Sequence, residues 1–70
     1  MFEPGTITVT NGEFALSSNA NTVTDENGYE VLDGATWVTM VGNTATGTVS
    51  NGQYLQLRLL TPNSLSLIHI

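Results

Sequence analysis

Apolar and polar residues alternate in short runs along this chain, and no stretch places apolar residues at i, i+3, i+4 and i+7. Period two belongs to half-buried strands and the missing pattern to amphipathic helices, so an all-β chain is predicted. Four turn signals divide the runs: Asn11-Gly12, Asn27-Gly28, Asp33-Gly34 and Asn51-Gly52. With Asn11-Gly12 as a two-residue type I′ loop, Thr10 pairs with Glu13, Val9 with Phe14 and Ile7 with Leu16. Ile7, Val9, Phe14 and Leu16 then share one face, and Thr8, Thr10, Glu13 and Ala15 take the other.

Residues 17–21 read as a polar loop. Beyond it, Val23, Tyr29, Val31 and Leu32 predict two short strands flanking the acidic turn Asp25-Glu26-Asn27-Gly28. Residues 36–41 are β-prone on both faces, Trp37, Thr39 and Val41 opposing Thr36, Val38 and Met40. That reads as a central strand with Trp37 in the core, ended by Gly42-Asn43. Residues 45–50 and 53–60 meet at Asn51-Gly52. A two-residue loop there would turn Leu55, Leu57 and Leu59 away from the face of Val49. A three-residue connection with Gly52 as a left-handed bulge is therefore expected, leaving Tyr54, Gln56 and Arg58 outward.

Thr, Ser and Asn fill 23 of the 70 positions, and cysteine is absent. So short a chain with so few large apolar residues needs stabilisation from further chain or a partner. The net charge of −5 sets six carboxylates against Arg58 alone, which excludes nucleic acid and anionic membrane as favoured partners. No run approaches the roughly 20 apolar residues of a membrane helix. Met1-Phe2-Glu3-Pro4 lacks the basic start and apolar core of a signal peptide. Without cysteine neither a disulfide framework nor a thiolate zinc site is available, and the redox compartment stays open.

The stretch Leu65-Ser66-Leu67-Ile68-His69-Ile70 resembles, codon for codon, a translated transposase mosaic-end sequencing adapter. That resemblance implies a tail at residues 65–70 to be set aside from functional reasoning, with the natural frame running on past Ser64. The competing reading is a genuine strand with alternating Leu65 and Leu67. Residues 1–4 read as a stiff linker through Glu3-Pro4-Gly5, leaving residues 5–64 as one partial domain.

Two blocks carry a second likeness. Gly5-Thr6-Ile7-Thr8-Val9 runs into Asn11-Gly12-Glu13-Phe14-Ala15-Leu16. Trp37-Val38-Thr39 is followed by Gly47-Thr48-Val49-Ser50-Asn51-Gly52-Gln53-Tyr54-Leu55-Gln56-Leu57-Arg58-Leu59. Together they resemble the immunoglobulin-like or fibronectin-like repeats of bacterial surface proteins, the second block being the more specific. The resemblance implies an immunoglobulin-like antiparallel β-sandwich, incomplete at its C-terminal end, because one or two final strands would follow Ser64. The insertion between the blocks, residues 20–33, is longer than usual.

Candidate chemistry is sparse. Asp25, Glu26, Asn27, Glu30 and Asp33 gather enough hard oxygen donors for calcium, although the glycine and glutamate spacing of an EF-hand is absent and a solvated acidic turn is the competing reading. Tyr29, Trp37 and Tyr54 could stack on sugar rings, with Tyr54 and Tyr29 the exposed candidates and Trp37 assigned to the core. Arg58 is expected to pair with Glu13 or Glu30. His69 is the sole histidine and lies in the adapter-like stretch, so no Ser-His-Asp arrangement is available. Carboxylates from one turn offer no glycosidase cleft, and no glycine-rich loop cradles phosphate.

The reading expected from all this is a non-enzymatic structural or adhesive module, without a required cofactor, on an extracellular or cell-surface protein. Its partners would be neighbouring repeats of the same chain, and a host or matrix protein or a polysaccharide. The alternatives are a carbohydrate-binding accessory module of a secreted hydrolase and a decoration domain of a phage virion.

Overall fold

The computed structural model describes residues 3–60 and 63–70, so Met1 and Phe2 of the linker reading, and Thr61 and Pro62, lie outside it. Among the described residues eight strands follow one another: β1 (Gly5–Thr10), β2 (Gly12–Ser17), β3 (Thr22–Thr24), β4 (Glu30–Leu32), β5 (Thr36–Val38), β6 (Thr44–Val49), β7 (Tyr54–Leu60) and β8 (Asn63–His69). There is no helix among the described residues. All pairings are antiparallel, in a four-stranded sheet of order β5-β2-β7-β8, a two-stranded sheet of β1 and β6, and the hairpin β3-β4.

The hairpin expected at Asn11-Gly12 does not form. β1 pairs instead with β6, from Gly5 opposite Val49 to Thr10 opposite Thr44, while β2 pairs with β5 and β7. A type I′ loop needs positive φ at both central residues. Here Asn11 has φ 56°, but Gly12 is not in the left-handed region. The chain turns a corner between two layers at this point. The Asn11 N–H donates to the Asn43 carbonyl (2.7 Å) at the end of the β1-β6 ladder, and the Asn11 carbonyl accepts from the Leu60 N–H (2.9 Å) at the end of β2-β7. Burial decides the outcome. A lone hairpin would leave four apolar side chains on an uncovered face, whereas the corner folds Val9 over Phe14 so that each covers the other. Gly12 is required for closeness, since a Cβ there would stand 2.6 Å from the Arg58 carbonyl oxygen.

The bulged hairpin expected at Asn51-Gly52 is replaced by a second corner of the same kind. Gly52 does adopt positive φ (87°), and the Gln53 N–H closes a turn onto the Ser50 carbonyl (3.2 Å). The turn leads from β6 in one sheet to β7 in the other, and the Gly52 N–H donates to the Ile70 carbonyl at 2.9 Å. Val49 and Leu55 still meet in one core, from opposite layers.

Val9, Ala45 and Val49 of the small sheet thus face Phe14 and Leu55 of the large one, with Phe14, Leu55 and Val49 fully buried. Gly47 lets the Phe14 ring approach, a Cβ there falling 3.0 Å from its Cζ. On the other side of the small sheet, Thr6-Thr48, Thr8-Thr46 and Thr10-Thr44 form a ladder of hydroxyls. The central strand expected over residues 36–41 shrinks to β5, a three-residue edge, and Val41 is 85% exposed. The two short strands around the acidic turn form as expected, Val23 opposite Val31. Residues 65–70, whatever the origin of their codons, here lie largely in β8, which pairs with β7 along its whole length, and Ile68 and Ile70 pack against the core.

Candidate functional site

Strand register sets the outer face of the large sheet, the face turned from the core. Glu13, Arg58 and Leu65 lie side by side across β2, β7 and β8. Trp37, Ala15, Gln56 and Leu67 form the next row, and Ser17, Tyr54 and His69 the one after. Alternation correctly turns Tyr54, Gln56 and Arg58 this way, but the face is not all wet. The β3-β4 hairpin covers Gln56, which is 3% exposed. The Gln56 Oε1 accepts from the Leu32 N–H (3.0 Å), and its Nε2 donates to the Glu30 carbonyl (2.9 Å). One side-chain amide therefore satisfies a donor and an acceptor of β4's backbone, and Val31, Leu32 and Ala15 are buried outside the main core cluster.

Arg58 is the centre of the more open part. Its guanidinium lies 4.4 Å from the centroid of the Trp37 ring, its Nη1 donates to the Glu13 Oε1 at 2.9 Å, and its Nη2 stands 3.7 Å from the Asp25 Oδ2. Trp37 is thus not a core residue, contrary to the expectation. It sits opposite Ala15 on the outer face, half-buried beneath the cation, because strand parity places it on the side away from Val38. The expected Glu13-Arg58 pair is present, but the second carboxylate is Asp25 and not Glu30. Both oxygens of Glu30 accept hydroxyls from β3, Thr24 at 2.6 Å and Thr22 at 3.2 Å.

Asp25 has two jobs in this arrangement. Its Oδ1 accepts from the N–H groups of Asn27 and Tyr29, each at 2.9 Å, which fixes the acidic turn, while its Oδ2 faces Arg58. The turn is thereby held at the rim of an open cleft of about 290 Å³, lined by Asn27, Tyr29, Arg58, Ser64 and Leu65. Tyr29 is 47% exposed there.

The three rings considered as a sugar platform are held by different neighbours. Trp37 lies under Arg58, Tyr29 edges the cleft, and Tyr54 stacks on His69 with centroids 4.2 Å apart and planes 9° from parallel. The five calcium candidates likewise have different surroundings. Asp25 and Glu30 are engaged as described, Glu26, Asn27 and Asp33 are exposed, and no three acidic or histidine side chains converge on one point among the described residues.

No family model, curated protein or solved structure matches this chain. Its site has to be understood from its own geometry: a cation held by two carboxylates and a ring, beside a cleft with one exposed tyrosine. Gln56 and Asp25 are the two members that pattern reading missed as organisers. A glutamine set between Leu55 and Leu57 was one available signal, and an Asp two residues before Asn27-Gly28 was the other.

Proposed function

We propose that this chain is a non-enzymatic immunoglobulin-like module of a larger secreted or cell-surface bacterial protein, a spacer or adhesive repeat set among similar neighbours. The observation that carries the reading is where the two motif blocks fall. Val9 and Phe14 come from the first and Val49 and Leu55 from the second, and these four residues bury one another between two antiparallel layers. Motif residues committed to a core specify a scaffold, which leaves recognition to turns and exposed faces. The full chain should be screened on chromogenic glycoside, ester and peptide substrates and for retention on immobilised matrix proteins. Retention without turnover is the expected result, and turnover that disappears in Asp25→Asn contradicts the proposal.

One observation favours a second reading, the carbohydrate-binding accessory module. Tyr29 exposes its ring at a cleft that also presents the Arg58 guanidinium and Asn27, and such a set can stack on a sugar face and bond its hydroxyls. On this reading Tyr29→Ala abolishes retention on insoluble polysaccharide and leaves the melting temperature unchanged. Failure of the unaltered chain to bind any polysaccharide tested removes it.

A further inference from the structure

We infer that the edge of β1 opposite β6, unpaired among the described residues, accepts an additional β-strand, supplied by a partner as an extended, uncharged segment with apolar residues at every second position. The inference rests on strand geometry and not on the adhesive reading.

The Asn11 N–H bonds to the Asn43 carbonyl, so residues 11 and 43 form a hydrogen-bonded pair. Antiparallel pairs alternate, which makes 9 with 45, 7 with 47 and 5 with 49 the bonded pairs, and 10 with 44, 8 with 46 and 6 with 48 the non-bonded ones. The backbone N–H and C=O groups of Thr6, Thr8 and Thr10 therefore point away from β6. Two observations agree with this phase. Thr44 turns its own N–H and C=O away from β1 and onto Val41 (3.3 and 2.8 Å), and the Thr8 and Thr46 hydroxyl oxygens lie 3.2 Å apart, as the closer spacing of a non-bonded pair allows.

The position of that edge gives it an occupant. Between the layers, β6 lies against β2 and β5, and β1 against β2. In the large sheet β7 and β8 come next after β2, so the open side of β1 faces the part of the inner surface that the small sheet does not reach. Leu55 is buried under the small sheet, but Leu57, Leu59 and Ile68 beyond it remain only partly covered. A strand added to β1 would satisfy its outward backbone groups and lay alternate side chains over these three residues, joining two incomplete surfaces in one step. The edge itself carries no charge and no proline, the usual devices that discourage pairing. The open edge of β6 is less suited, because Val41 already uses part of it.

The test is amide exchange on the full chain, followed by NMR, with and without the synthetic peptide acetyl-KTVTVTVTK-amide. The amides of Thr6, Thr8 and Thr10 should slow by roughly tenfold or more with peptide, while those of Ile7 and Val9, already bonded to β6, change little. The same peptide with its central valine replaced by proline should have no effect. Thr8→Pro removes an N–H aimed at the open edge without touching a β1-β6 bond, so this variant should fold and lose the response. Unchanged exchange of the three threonines at saturating wild-type peptide overturns the inference even if Thr8→Pro fails to fold. Equal slowing in the chain alone, with a dimer in sedimentation, assigns the edge to a second copy and also overturns it.

Discussion

On the inner face of the large sheet, Phe14 and Leu55 are closed off by aliphatic side chains from β1 and β6, whereas on the outer face Gln56 is closed off by the backbone of β4. The two kinds of closure respond differently to change. Apolar packing has no direction and scales with the area hidden, so its residues can shift and still cohere. An amide that matches one N–H and one carbonyl works in a single register. Without it, the Leu32 N–H is left in a place that water reaches poorly. The inner face accordingly holds the layers together, and the outer face sets where the acidic turn and its cleft stand.

Substitutions on the two faces should separate these roles. Phe14→Ala should have the largest effect, about 3–5 kcal/mol, enough to unfold a chain this small. A cooperative urea transition near the unaltered midpoint would refute the core assignment. Gln56→Leu should cost about 1–3 kcal/mol and free the β3-β4 hairpin. Its signature is local: the Leu32 amide should exchange much faster while the Val9 and Phe14 amides remain protected. Trp37→Ala should cost about 1 kcal/mol, the scale of a half-buried cation-π contact, where a ring in the core would cost several-fold more. A loss as large as that of Phe14→Ala would return Trp37 to the core. Glu13→Gln should cost less than about 1 kcal/mol, a difference that fades at high salt because the pair is partly exposed. Millimolar calcium should leave the melting temperature unchanged, because Asp25 and Glu30 already spend their oxygens on turn and strand partners.

How far the pattern of residues reveals this architecture depends on the range of the interaction. Alternation assigned Ile7, Val9, Phe14 and Leu16 to the core and Gln56 and Arg58 away from it, since side-chain parity is local to each strand. Pairing is not local. Asn11-Gly12 and Asn51-Gly52 are strong hairpin signals, yet at both places the chain crosses between sheets because the crossing buries Val9 against Phe14 and Val49 against Leu55. Trp37 has apolar neighbours in sequence, but the parity of β5 turns it to the outer face beneath Arg58. In the site, the Glu13-Arg58 pair was legible because both residues point outward on strands that prove adjacent. The approach of Asp25 was not, for it depends on Gln56 docking a hairpin 24 residues away in the chain.

Both the layered core and the open β1 edge rest on β1 pairing with β6. Cross-strand contacts between α-protons, measured by nuclear Overhauser spectroscopy on the full chain, address that pairing directly. Non-bonded antiparallel pairs bring these protons close, so contacts between Thr8 and Thr46 and between Thr6 and Thr48 are predicted. A contact between the α-protons of Val9 and Phe14, the non-bonded pair of a two-residue hairpin at Asn11-Gly12, in place of these would contradict the account.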